Sequence, residues 1–157
     1  MKPVSMIAAA LVILTPGAAF AAHGKVGLWR VTSSTKLSMA PSAAAGAAPA
    51  THTAHMCMSQ EEVNSDAPPH IDNQVTGCTT HVTSHTAASV TADLTCNGGM
   101  KGKGHMQIAY DGAEHYSGSY SFKGTVEGNP ATLDTSFKGD WVKADCGKVR
   151  PYKLRTQ

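Results

Sequence analysis

The seven residues from His52 to Met58, His-Thr-Ala-His-Met-Cys-Met, bring two imidazoles, two thioethers and a thiol into one short stretch. Thioether and imidazole suit copper, above all in an oxidising compartment where a thiol is lost to disulfide formation. His52, His55, Met56 and Met58 are therefore candidate copper ligands. In a regular strand, however, His52, Met56 and Met58 share one face while His55 and Cys57 share the other. Residues four apart on one face stand roughly 13 Å apart, so His52 joins a common ion only where the chain bends. Met56 and Met58, about 6.6 Å apart at their backbones, reach one ion through flexible arms. The competing reading, and the favoured one, places both methionines at the core or its edge and the histidines in solvent. Cys57 fits a disulfide better than a metal.

His23 is a second lead. Residues 1–21 read as an export signal, with Lys2 as the positive start, an apolar run from Ile7 to Leu14, and Ala19-Phe20-Ala21 as a small-x-small cleavage site. The mature chain is expected to begin at Ala22 or His23. Cleavage after Ala22 would make His23 the amino terminus, whose amine and imidazole together chelate Cu(II). Cleavage after Ala21 leaves Ala22-His23, in which an amine, an amide and the imidazole do the same. The other histidines, His81, His85, His105 and His115, fall on polar strand faces or near a hairpin tip and are expected in solvent, with His81 opposite Asp93.

Hydrolytic chemistry finds little support. The chain has no G-x-S-x-G elbow, no H-E-x-x-H, no Walker loop and no convincing carboxylate pair, and Glu114-His115 has no nucleophile beside it. The expectation is a non-enzyme. The formal charge of +2 falls by one with the leader and suggests neither nucleic acid nor anionic membrane as a partner. The apolar run of the leader is too short to span a membrane, and no later stretch supplies a span. The expected location is the periplasm, with secretion as the alternative.

The elements that must position these groups are strands. Gly, Ser and Thr abound, long apolar helical periods are absent, and short alternating runs end at Gly, Asn and Asp. The expected fold is all-β: an antiparallel meander of seven or eight strands curled into a small barrel or sandwich, with one short helical turn. The first strand spans about Gly27–Met39, with Trp29, Val31 and Leu37 on one face and Arg30, Thr32 and Lys36 on the other. Residues 40–50, an Ala/Pro stretch with no apolar period, read as a flexible loop. Ser59-Gln60-Glu61-Glu62 has the spacing of a capping box and predicts the helical turn. Ser65 to Asn73, with Pro68 and Pro69, reads as irregular.

Face alternation sets the registers of the later hairpins. A turn near Ala87 puts Cys78 opposite Cys96, Thr80 opposite Leu94 and Val82 opposite Ala92. A loop N-G-G-M-K-G-K centred near Met100 puts Leu94 opposite Met106 and Ala92 opposite Ile108. A turn at Asp111-Gly112-Ala113 puts Tyr110 opposite Tyr116, Ile108 opposite Gly118 and Met106 opposite Tyr120. A last strand, about Thr132–Val142, turns Leu133, Phe137 and Trp141 inward. If the sheet closes, residues such as Trp29, Leu94, Ile108, Tyr120 and Phe137 line an interior that is either filled or able to carry a small apolar molecule, as a lipocalin does. The domain occupies residues 22–146, and residues 147–157 form a basic tail read as a solvated terminus.

Four cysteines, Cys57, Cys78, Cys96 and Cys146, behind an export signal predict two disulfides, with three connectivities open.

The segments G-L-W-R-V-T at 27–32, C-M-S-Q-E at 57–61, G-K-G-H-M at 102–106 and G-D-W-V-K-A-D-C at 139–146 occur in an order that resembles the bacterial exported domain-of-unknown-function family 3617. The chain departs from it where an Ala/Pro stretch replaces a Met/Pro-rich loop, where Ser59-Gln60-Glu61 replaces T-P-E, and in the tail beyond Cys146. The resemblance implies a periplasmic β domain with structural disulfides and implies no activity. What remains from the residues themselves is a binding or interaction domain for an unidentified small ligand or protein. The alternatives are copper binding or buffering by the Met/His cluster and lipocalin-like carriage.

Overall fold

The computed structural model describes residues 23–39, 48–65 and 77–151. The leader through residue 22, most of the Ala/Pro stretch, the Pro68-Pro69 segment and the last six residues lie outside the described residues. Seven strands, β1 (Gly27–Met39), β2 (Ala50–Met58), β3 (Cys78–Thr86), β4 (Ser89–Asn97), β5 (Met100–Asp111), β6 (His115–Val126) and β7 (Asn129–Lys143), form one antiparallel sheet. Its order is β2-β1-β7-β6-β5-β4-β3. Strands β3 to β7 are a meander, and β7 then pairs with β1, about a hundred residues away in sequence.

The sheet curls without closing. Strands β2 and β3 stand at opposite edges, yet Met58 of β2 and Ala92 and Leu94 of β4 belong to one buried cluster with Trp29, Val63, Met106, Ile108, Tyr116 and Phe137. Such contact requires the inner face to wrap around a shared core, which is how a one-faced sheet hides its apolar side.

Three aromatic rings press against glycines of neighbouring strands on that inner face. A Cβ at Gly139 would stand 2.2 Å from the Tyr116 ring, one at Gly118 would stand 2.4 Å from Phe137, and one at Gly104 would stand 2.7 Å from Tyr120. Each ring thus occupies the volume that a side chain would take. These rings pack on the concave side with Trp29 and Ile108, 0% and 2% exposed. The hydroxyls of Tyr116 and Tyr120 are buried without a partner among the described residues, and burial raises the pKa of both.

Cys57–Cys146 ties the end of β2 to the segment after β7, and Cys78–Cys96 staples β3 to β4. Beside the first staple, Cys57 bridges Pro151 of the tail in parallel. The helical turn α1 (Gln60–Val63) is capped as its sequence predicts. Glu62 N donates to Ser59 Oγ at 3.3 Å, and Ser59 N donates to Glu62 Oε2 at 2.6 Å, which satisfies the buried Glu62 carboxylate.

Two sequence registers need correction. Strand β5 begins at Met100, directly after a two-residue Gly98-Gly99 turn, so Leu94 faces Gly104 and Ala92 faces Met106, two residues from the expected pairing. The tight turn keeps Lys101, Gly102 and Lys103 in the strand, and the even shift leaves every side chain on its expected face. In β3 the expected register holds from Cys78 to Val82, where Thr83 then bulges out and shifts the pairing by one. Beyond the bulge His85 pairs with Val90, an inner-face residue.

Candidate functional site

The His52–Met58 cluster is divided as strand geometry requires. Register puts His52, Ala54, Met56 and Met58 on the inner side of β2, while Thr53, His55 and Cys57 take the other. Met58 is buried in the core, Met56 packs against it half-buried, and His52 and His55 are exposed. His55 stands opposite Arg30, whose Nη2 donates to Asp140. A Met58 thioether would reach an external ion only by leaving the core. Among the described residues no three His, Cys, Asp or Glu side chains converge as metal ligands.

The outer face carries rows of polar side chains set by register. One runs His81, Asp93, His105, Ser121, Asp134 and Lys36 across six strands. Although His81 lies opposite Asp93, the carboxylate accepts from His105 Nδ1 at 2.7 Å instead. With that proton placed, His105 Nε2 accepts from the Gln107 amide at 3.3 Å, so it is engaged away from the neighbouring Ser121. The arrangement is a surface network and lacks the nucleophile–base contact that acyl transfer needs. A second pair, His115 Nδ1 to Asp140 Oδ1 at 3.0 Å, holds the Asp140 carboxyl below the usual range with help from Arg30.

The middle of this face forms a groove of about 690 Å³, lined by Asp93, Thr95, Lys103, His105, Lys123 and Asp134 among others. Lys103 and Lys123 are direct cross-strand partners, both exposed. Like charges directly opposite each other destabilise a sheet unless something negative lies between them.

At one end of the curled sheet, residues 23–26 cross the mouth. Trp29 Nε1 donates to Lys25 O at 2.8 Å, Trp141 Nε1 donates to Val26 O at 3.1 Å, and Lys25 pairs with Glu114, lowering the Glu114 pKa. These bonds carry His23 to the β3–β4 hairpin, where it is buried to 7% exposure. Its Nε2 donates to Thr86 O at 2.8 Å, its Nδ1 lies 3.1 Å from His85 Nε2, and its ring packs 4.7 Å from Tyr110. The pairing with His85 escapes a reading of strict alternation, because the Thr83 bulge shifts His85, which stays exposed, into register with the inner-face residue Val90. A signal for it exists: a two-residue Ala87-Ala88 turn and a Cys78–Cys96 pair differ in register by one, which demands a bulge between them.

These features define a small antiparallel β protein, curled around a ring-filled core and held by two disulfides, with no membrane-spanning helix among the described residues. The chain belongs to the protein family of unknown function DUF3617, whose model matches residues 24–146. No curated protein and no solved structure matches the chain.

Proposed function

We propose that this chain is an exported binding domain that performs no covalent chemistry and takes a polar, anion-bearing ligand on its outer face. The observation that carries the reading is the groove containing Lys103 and Lys123 in direct register. An anionic group between the two ammonium groups relieves their repulsion, while Thr95, Ser121 and Asp134 offer hydrogen bonds to hydroxyls. Rings packed over the inner-face glycines support an external ligand over a lipocalin-like cargo. The small-x-small leader and the paired cysteines support export to the periplasm.

Calorimetric titration of the mature protein with a short uronic-acid oligosaccharide tests the reading. Binding is expected to weaken about tenfold for each lysine in Lys103→Gln and Lys123→Gln, since one charge-assisted hydrogen bond contributes about 1.5 kcal/mol. Equal affinity in wild type and both variants would contradict it, as would turnover of the oligosaccharide.

A further inference from the structure

His23 and His85 come from segments 62 residues apart, yet His23 Nδ1 and His85 Nε2 lie 3.1 Å apart in hydrogen-bond contact. Thr86 O can only accept, so the proton of His23 sits on Nε2 and the Nδ1 lone pair faces His85 Nε2. A backbone carbonyl holding the remote ring nitrogen is how a metal-bound imidazole is commonly oriented. The 3.1 Å between Nδ1 and Nε2 matches two nitrogens bound about 2.0 Å from a shared ion at an angle of about 100°.

Nδ1 is also the ring nitrogen that closes a six-membered chelate with the main-chain nitrogen of the same residue. Removal of a leader at the small-residue site makes that nitrogen a strong donor. It becomes a free amine when His23 is first, or an amide flanked by the Ala22 amine when Ala22 is first.

We propose that the mature protein binds one Cu(II) through His23 Nδ1, the main-chain nitrogen of His23 and His85 Nε2. An all-nitrogen donor set favours Cu(II) over other divalent first-row ions, and Cu(II) can displace an amide proton where Ala22 precedes His23. The ion replaces the hydrogen bond that His85 Nε2 donates to His23 Nδ1, so His85 binds as its other tautomer with the proton moved to Nδ1, and the Tyr110 ring packed on His23 shields one side. No third histidine or carboxylate is required. The site is separate from the outer groove, and either stands if the other fails.

The test is Cu(II) titration of processed protein against a chromogenic chelator, with the amino terminus read by mass spectrometry and the bound ion by electron paramagnetic resonance. The expected result is one equivalent bound, with hyperfine coupling to at least three nitrogens. Affinity should fall by on the order of a hundredfold in His23→Ala and tenfold or more in His85→Ala, the losses typical when ligands or their supports are removed. His52→Ala should bind as wild type. Where His23 is the first residue, acetylating it in the wild-type protein should also abolish tight binding, which separates ligand loss from misfolding of a variant. A mature terminus other than Ala22 or His23 would overturn the proposal. So would affinity unchanged in His85→Ala or after acetylation of a His23 terminus, or copper lost in His52→Ala.

Discussion

Replacing Gly139 with alanine places a methyl group 2.2 Å from the Tyr116 ring, well inside contact distance. The ring cannot swing away freely. It is 3% exposed and packed 5.3 Å from Trp29, 6.1 Å from Tyr110 and 6.3 Å from Phe137, centroid to centroid. Overpacking of this kind costs about 1–3 kcal/mol. Against it stands a gain of about 0.5–1 kcal/mol, because alanine loses less backbone entropy than glycine on folding. The net expectation is a loss of about 1–2 kcal/mol, a fall of roughly 4–8 °C in melting temperature for a domain near this size. In a Tyr116→Leu background the ring is gone, and Gly139→Ala should be neutral or stabilising. Urea unfolding of the four proteins of the cycle measures a coupling of about 1.5–3 kcal/mol. Additive effects within 0.5 kcal/mol would refute the packed-ring account of the interior.

Other consequences are open to measurement. Cys57→Ala with Cys146→Ala opens a span of 89 residues and Cys78→Ala with Cys96→Ala one of 18, so chain entropy alone predicts losses of about 4.6 and about 3.2 kcal/mol respectively. Denaturation giving the reverse order would count against that source of stability. Tyr116→Phe removes a buried hydroxyl with no partner among the described residues and should stabilise by about 1 kcal/mol in the same urea assay, whereas a loss of that size would show the hydroxyl to be satisfied. Hydrogen bonds from His115 and Arg30 lower the Asp140 carboxyl pKa, so the ionised form favours folding. The advantage of wild type over Asp140→Asn, below about 1 kcal/mol at this partly exposed site, should be full above about pH 4 and fade as the pH falls through the lowered value. A difference that grows on acidification would contradict the pairing.

Much of the fold was legible because its signals are local. Period-two alternation from Gly27 to Met39 marks β1 to the residue, Ser59 and Glu62 announce the capped turn, and the Asp111-Gly112 turn sets the β5–β6 register. What escaped depends on turn length and distance. The β4–β5 register rests on Gly98-Gly99 being a two-residue turn inside a glycine-rich run that permits several. The β1–β7 pairing joins strands with no turn between them to set a register. Asp93 chose His105 over His81, although both stand opposite it on flanking strands, a choice of rotamer and hydrogen-bond geometry that pairing alone does not make. The Met/His cluster was visible as composition, and its division between two faces was visible as periodicity. The approach of His23 to His85 needed both a bulge and a segment crossing the mouth of the sheet.

The outer-face reading is tested most directly by amide chemical-shift mapping of ¹⁵N-labelled mature protein titrated with the uronic-acid oligosaccharide. The account predicts shifts concentrated in Asp93–Thr95, Lys103–His105 and Ser121–Lys123, the strands that form the groove. Shifts centred instead on Ile108, Tyr120 and Phe137 of the inner face, or the absence of any saturable shift, would contradict it.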